Sequence, residues 1–311
     1  MFFQTAGIYV HWWVPPVVAF VISFFTSMGG VSGAFLLLPF QMSFLGYTDP
    51  SVSATNQVFN IVAIPGGIYR YWKEGRMVWP LAWTVVAGTL PGVFIGAFIR
   101  VAWLPDPKNF KLFAACVLIY IGIKLVRDLL KKKSSDSFGK NNEKNFEKMI
   151  QGTCLDSTSG IRVTRFNLKR LAYTFYGENF DVSFWGIFIL SFIVGIVGGI
   201  YGIGGGSIIA PFFITFFGLP VHTVAGAALM GTFVTSIAGV AFYQGLALFY
   251  PAMSIAPDWI LGFMFGIGGT AGMYLGARCQ KFIPAVIIKL MLAGIIVFTA
   301  CKYAAGFFLG Q

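Results

Sequence analysis

The sequence predicts an all-α polytopic membrane protein built from two inverted repeats. Each repeat is a glycine-broken, hairpin-like helix followed by three transmembrane helices. Three observations predict it. The chain is 57% hydrophobic and 11% charged, with mean hydropathy +0.78. Apolar runs of about 20 residues recur, the length needed to cross a hydrocarbon core. A glycine-rich stretch then appears twice, in corresponding places of the two halves. Gly30, Gly33, Pro39, Phe40 and Gly46 reappear as Gly202, Gly205, Pro211, Phe212 and Gly218, each 172 positions later. A glycine-interrupted apolar segment repeated in both halves is the best sequence pointer to a transport site.

The apolar segments fall at 15–46, 51–70, 77–99 and 109–130, and again at 183–217, 221–246, 257–278 and 284–307. The repeat extends past the glycines. Ser51-Val52 matches Thr223-Val224, and Gly67 matches Gly239. Pro91-Gly92-Val93-Phe94-Ile95-Gly96-Ala97 resembles Ala271-Gly272-Met273-Tyr274-Leu275-Gly276-Ala277. The organisation is therefore a first transmembrane repeat over 1–130, a polar loop over 131–181 and a second repeat over 182–311.

Segments 15–46 and 183–217 are too long for one span and are cut by glycine. Each piece of about 13 residues makes about 20 Å of helix, too short for a core of about 30 Å. Either each segment is one tilted, broken helix, or it enters and returns on the same side. Charge favours the second geometry. It places Arg70, Lys73, Arg76, the central loop, Arg278 and Lys281 on one side. Basic residues collect on the cytoplasmic side. The loop is then cytoplasmic and both termini lie outside; Arg100, Lys108 and Lys302 are exceptions.

The loop opens with Lys131-Lys132-Lys133-Ser134-Ser135 and reads as a flexible linker. Ile161-Arg162-Val163-Thr164-Arg165-Phe166 alternates apolar and basic residues. It could pair with Leu171–Tyr176 as a small hairpin. Its cations set topology, with contact to anionic lipid as the other reading.

A helix broken inside the bilayer leaves backbone groups unpaired, which is tolerated only within protein or beside a wet cavity. The second half-helix then offers free N–H groups and the positive end of its dipole, which favour an anion. In the first copy these groups come from Gly30, Ser32, Gly33 and Ala34. In the second they come from Gly204, Gly205, Gly206 and Ser207. The helix after each break adds uncharged polar groups: Asn56, Gln57 and Asn60 in one half, Thr232, Thr235 and Ser236 in the other. Asn56 and Asn60 share a helix face, as do Thr232 and Ser236. These fourteen residues are the expected substrate-binding set. Interhelical hydrogen bonding is the alternative role for the polar ones. For Gly92/Gly96 and Gly272/Gly276, close helix packing is expected.

What is missing narrows the substrate. Asp49, Glu74, Asp106, Asp128 and Asp258, the acidic residues outside the central loop, lie near segment ends. Cation and many proton carriers use buried carboxylates, so a small anion is the better fit. The net charge of +11 belongs to loops rather than to a nucleic-acid surface. Neither a cofactor nor a metal site is expected, and Cys116, Cys154, Cys279 and Cys301 include no C-x-x-C pair. The N-terminus lacks the pattern of a cleaved signal peptide.

Gly202-x-Gly204-Gly205-Gly206 with Pro211, joined by the degenerate copy from Gly30 to Pro39, resembles the sulfite exporter TauE/SafE family of membrane permeases. The likeness covers both membrane halves but not the central loop. Ser32 and Ala34 stand where Gly204 and Gly206 stand in the second copy. The resemblance implies a plasma-membrane transporter of small sulfur-containing anions such as sulfite, sulfonates or sulfoacetate. It also implies that the two glycine motifs form the substrate site. Another small organic anion is the alternative cargo. Direction of transport, coupling ion and homo-oligomerisation stay open.

Two rivals come from other classes. Gly30-Val31-Ser32-Gly33 matches the Gly-x-Ser-Gly of rhomboid proteases, but such an enzyme needs a histidine base near the serine. His11 and His222 both lie near segment ends. A non-transporting scaffold would have no use for a costly glycine break.

Overall fold

The computed structural model describes residues 1–28, 31–73, 75, 77–134, 162–167, 169–175, 178–219, 221–279 and 294. The expected segment 284–307 and Gly30 lie outside the described residues, apart from residue 294.

The described chain is mostly helical. The first half runs α1 (Val14–Met28), α2 (Ala34–Ser43), α3 (Ser51–Lys73), α4 (Trp79–Ala102) and α5 (Pro107–Ser134). The second runs α6 (Phe184–Tyr201), α7 (Ile209–Phe217), α8 (Val221–Phe249) and α9 (Trp259–Cys279). Among the described residues four helices are long and apolar enough to span a bilayer: those over Trp79–Ala102, Phe184–Tyr201, Thr223–Phe249 and Trp259–Cys279. Helix α3 is as long, but its inward face carries Ser51, Ser53, Thr55, Asn56, Gln57 and Asn60, all fully buried. The outward faces carry the reverse pattern. Ile189, Ile193, Phe263 and Ile267 are exposed at mid-helix, while Trp12, Trp13, Trp72, Trp103, Trp185 and Trp259 are exposed near helix ends. Apolar bodies with tryptophan girdles fit a chain solvated by lipid.

The helices cross between halves. Helix α1 packs on α9 and α6 packs on α4, with α3 and α8 between them. Glycine makes both close contacts. A Cβ on Gly88, Gly92 or Gly96 of α4 would strike the carbonyl oxygens of Phe188, Phe192 and Ile196 in α6. A Cβ on Gly268, Gly272 or Gly276 of α9 would strike those of Pro16, Phe20 and Phe24 in α1. Small residues thus let the backbones touch where lipid supplies no hydrophobic drive.

Two small sheets lie at opposite ends of the helical body. Strands β1 (Phe2–Phe3) and β2 (Ile8–Tyr9) pair before α1. Ser254 Oγ donates to Thr5 O at 2.9 Å, and Ser51 N–H donates to Ser254 O at 3.0 Å. This end therefore collects the starts of α1 and α3 and the loop after α8. At the other end, β3 (Arg162–Phe166), β4 (Arg170–Phe175) and β5 (Glu178–Ser183) form an antiparallel sheet in that order. Leu171, Tyr173 and Phe175 alternate inward from β4 and are buried. Tyr173 Oη lies 3.0 Å from Thr223 Oγ1 in the first turn of α8. The third strand was not anticipated from sequence: its Asn-Phe-Asp-Val alternation is short and runs straight into α6.

Candidate functional site

In each half one helix ends and a shorter one starts a few residues later. Helix α6 ends at Tyr201, and Gly202 caps it in the left-handed conformation at φ 76°. Gly204 is also left-handed, at φ 76°. Both angles are open to glycine and strained for other residues. Helix α7 starts only at Ile209. In the first half α1 ends at Met28 and α2 starts at Ala34.

The two interruptions meet on α3. Asn56 Nδ2 donates to Ala34 O at 3.0 Å and to Gly202 O at 3.1 Å. Asn60 Nδ2 donates to Ile203 O at 2.9 Å and to Ser236 Oγ at 3.3 Å. Asn60 Oδ1 accepts from Ser32 Oγ at 2.5 Å, and Ser32 Oγ accepts from Ala34 N–H at 3.3 Å. For Gly202 O and Ile203 O, just past the end of α6, the amides supply donors the helix no longer offers, as a buried carbonyl requires; Ala34 O, in the first turn of α2, takes Asn56 as a further donor. The donors expected to face an anion are thus engaged with backbone oxygens in this conformation.

Helix α8 braces the second interruption. Gly205 N–H donates to Thr235 Oγ1 at 3.0 Å. Ser207 Oγ lies 3.4 Å from Thr232 Oγ1 and also meets Ile203 O. A Cβ on Gly206 would collide with Ala228 O and Thr232. A Cβ on Gly33, at the first interruption, would strike Ser23 Oγ. So Ser32, Gly33, Ala34, Asn56, Asn60, Gly204, Gly205, Gly206, Ser207, Thr232, Thr235 and Ser236 come together. Gln57 is buried beside them but turned toward Gly239 of α8, and neither amide atom has a hydrogen-bond partner.

Two further residues belong to this cluster. Gln41 of α2 donates to Asn56 Oδ1 at 3.4 Å, and its Oε1 is buried and unpartnered. Ser53 Cα and Cβ sit against Gly202. A lone glutamine in Phe35–Met42 was a legible signal, since an amide in a short apolar helix needs a reason to be there. Among the described residues no carboxylate oxygen is hydrogen-bonded within the cluster; Asp258 accepts from Leu261 N–H at the start of α9. Among the described residues, histidine, cysteine and carboxylates form no group fit for a metal ion. A small cavity lies on the sheet side of the first interruption, with Ser27, Val31, Gly67, Tyr71, Leu229 and Met273 in its walls.

The cluster is built of main-chain ends, amides and hydroxyls. Residues 16–303 match the family model described as sulfite exporter TauE/SafE. The chain belongs to this family. It is similar to the "Probable membrane transporter protein YdhB" of Bacillus subtilis, at 28% identity over 114 residues, 37% of this chain and 43% of that protein. It is likewise similar to the "Probable membrane transporter protein MJ0441" of Methanocaldococcus jannaschii, at 32% identity over 125 residues, 38% of this chain and 43% of that protein. The aligned stretch thus spans less than half of each relative's length. No solved structure matches. This TauE/SafE family member has, among its described residues, four helices long and apolar enough to cross a membrane.

Proposed function

We propose that this protein is a secondary transporter of small sulfur-containing oxyanions of the sulfite or sulfonate type. The observation that carries the proposal is Asn56, which joins Ala34 O at the start of α2 to Gly202 O at the end of α6. One side chain thus holds both interrupted helices together. The N-terminal ends of α2 and α7 bring dipole charge and main-chain N–H groups to the same region. The carbonyl ends of α1 and α6 oppose that field in part, but no described carboxylate adds to them, so the site suits a small anion better than a cation. The family's description supplies the chemical class of cargo.

The proposed architecture is an inverted repeat of re-entrant hairpins. A Cβ on Gly186, at the start of α6, would lie 3.1 Å from the ring of Phe217 at the end of α7, so α7 returns toward where α6 began. Met42 and Tyr47 lead back to Ser51, which meets Ser254, and Ser254 meets Thr5 before α1. Helix α1 therefore starts at the end opposite to α6. The exchanged pairs α1–α9 and α6–α4 fit a two-fold relation in the membrane plane. The sheet end carries Arg70, Lys73, Lys169, Arg170 and Arg278 with Glu178 and Asp181, and the other carries Asp49, Asp106 and Asp258 with Arg100, Lys108 and Lys111, so the basic excess lies at the sheet end. The sheet end is accordingly assigned to the cytoplasm and the β1–β2 end to the outside. Alternating access then consists of one hairpin releasing Asn56 or Asn60, which frees those amides for the anion.

The test is flux of labelled sulfite into proteoliposomes, with Thr235→Val as the probing variant. Valine keeps the volume and removes the acceptor for Gly205 N–H. The expected result is wild-type flux and at least tenfold slower flux in the variant, with an unchanged elution profile. Gly205→Leu, which must displace Thr89, should abolish flux. A folded wild-type protein that moves neither sulfite nor methanesulfonate overturns the sulfur-oxyanion reading. A thermal-shift screen of other organic anions then identifies the cargo, because a ligand of the native state raises stability.

A further inference from the structure

Arg100 has no exposed surface. It sits in the last turn of α4, inside a chain whose other described cations are mostly at loops and helix ends. A guanidinium stays protonated and carries five N–H donors. Removing it from water is costly unless its charge is paired. Its Nη1 donates to Leu104 O, its Nη2 lies 3.4 Å from Thr48 O, and its face covers the ring of Phe110 at 3.8 Å. Those contacts cap α4 and pack the side chain. They leave Nε buried without a partner, and they supply no counter-charge. Among the described residues Arg100 makes no ion pair; Asp49 attracts it only through space.

The position of that unspent charge is specific. Phe110 meets Tyr201 in a tilted contact with centroids 6.4 Å apart, and Tyr201 stacks on Phe35 at 6.3 Å. Tyr201 is the last residue of α6, next to Gly202, and Phe35 follows Ala34. Tyr243 Oη, beside Arg100, donates to Gly199 O one turn before the interruption at 3.1 Å. Arg100 therefore stands one aromatic layer from the meeting point of the interrupted helices, on the side of the β1–β2 sheet.

We infer that Arg100 is a second anion-binding point, an outer station that takes an oxyanion of the sulfite or sulfonate class on the Nε and Nη2 edge of its guanidinium. Two parallel N–H donors match two oxygens of such a group, and Nη2 gives up only a long contact to Thr48 O. Phe110 holds the plane of the fork, and Tyr201 with Phe35 separates this station from the central one. The inference rests on the transport reading above.

The experiment is sulfite flux in vesicles sorted by orientation, comparing wild type with Arg100→Met and Arg100→Lys. Methionine keeps the packing on Phe110 without the charge. Its apparent KM for sulfite presented on the β1–β2 side should rise about tenfold or more, as loss of a charge-assisted contact predicts, while KM from the sheet side stays at the wild-type value. Lysine keeps the charge but not the fork, and its outer KM should fall between the two. A purely structural role would lower stability and maximal rate from both sides and leave the KM ratio unmoved, which overturns the inference. If Arg100→Met fails to fold, Arg100→Lys decides: a wild-type outer KM there overturns it equally. A wild type that carries sulfite beside variants of unchanged outer KM defeats this inference alone. A wild type that carries none defeats the transport reading beneath it.

Discussion

Asn60 and Ile203 are 143 residues apart in the chain and joined by a 2.9 Å hydrogen bond from the side-chain amide to the main-chain oxygen. The same amide holds Ser32 on the other half. Replacing Asn60 by alanine orphans a buried carbonyl and a buried hydroxyl, at about 1–3 kcal/mol each. Asn60→Ala should therefore lower the thermal midpoint of the purified protein. Asn60→Asp keeps the acceptor for Ser32, loses the donors and adds negative charge, so it should abolish sulfite flux even where the protein still elutes as wild type. Flux through Asn60→Asp at the wild-type rate would remove the central cluster from the transport path.

Gly204 and Gly46 separate backbone strain from steric intrusion. Both have positive φ, 76° and 71°. An alanine at either place costs about 1–2 kcal/mol of left-handed strain. At Gly204 the added Cβ also comes within 2.9 Å of Ser236 Oγ and of Thr232 Cγ2, whereas at Gly46 nothing lies within 4 Å. Gly46→Ala should lose a little stability and keep its flux; Gly204→Ala should lose both. Equal behaviour of the two variants in the flux assay would mean that α8 does not press on the interruption.

Tyr173 gives the loop sheet a pH limit. Burial pushes its hydroxyl up to about 12, opposed by the hydrogen bond with Thr223. The folded state therefore favours the protonated phenol more strongly than the unfolded chain, whose tyrosine titrates near 10. The stabilisation is complete below pH 10 and is lost as pH rises toward 12. Protease cleavage between β3 and β5 should accelerate over that window in the wild type. Tyr173→Phe, which cannot ionise, should show a smaller acceleration there. A variant that tracks the wild type across the window would place the alkaline opening elsewhere.

The sequence made the apolar segments, the paired glycine motifs and the packing role of Gly92, Gly96, Gly272 and Gly276 readable, because each is a periodic or composition-driven feature. Small residues on one helix face have few uses other than close approach. The hydrogen-bond partners were not readable. Which carbonyl Asn56 meets depends on how α6 ends relative to α2, a long-range matter that spacing along α3 does not encode. Arg100 was hidden by its position: a basic residue near a helix end reads as a snorkelling side chain. Its burial follows from α5 folding back so that Phe110 covers it. Gln41 lies in the short apolar α2, where one amide carries no periodic signal, and only the approach of α2 to α3 brings it to Asn56.

Gln57 offers a prediction in which stability and activity move in opposite directions. Gln57 lies against Gly239, and Leu229 lies against Gly67, with the two pairs offset by 172 positions. The same notch thus receives leucine in one half and glutamine in the other. Leucine fits it with apolar contacts alone. The glutamine amide is fully buried with Nε2 and Oε1 both lacking hydrogen bonds in this conformation, which costs about 1–3 kcal/mol relative to an apolar side chain of similar volume. Gln57→Leu should therefore raise the thermal midpoint. A polar side chain kept at such expense implies a partner in another conformation of the cycle, where the hairpins have moved and an anion or water reaches α3. The same variant should then transport sulfite more slowly than wild type, with a smaller sulfite-induced thermal shift. A more stable Gln57→Leu protein with undiminished flux would show that the amide is a tolerated defect and takes no part in transport.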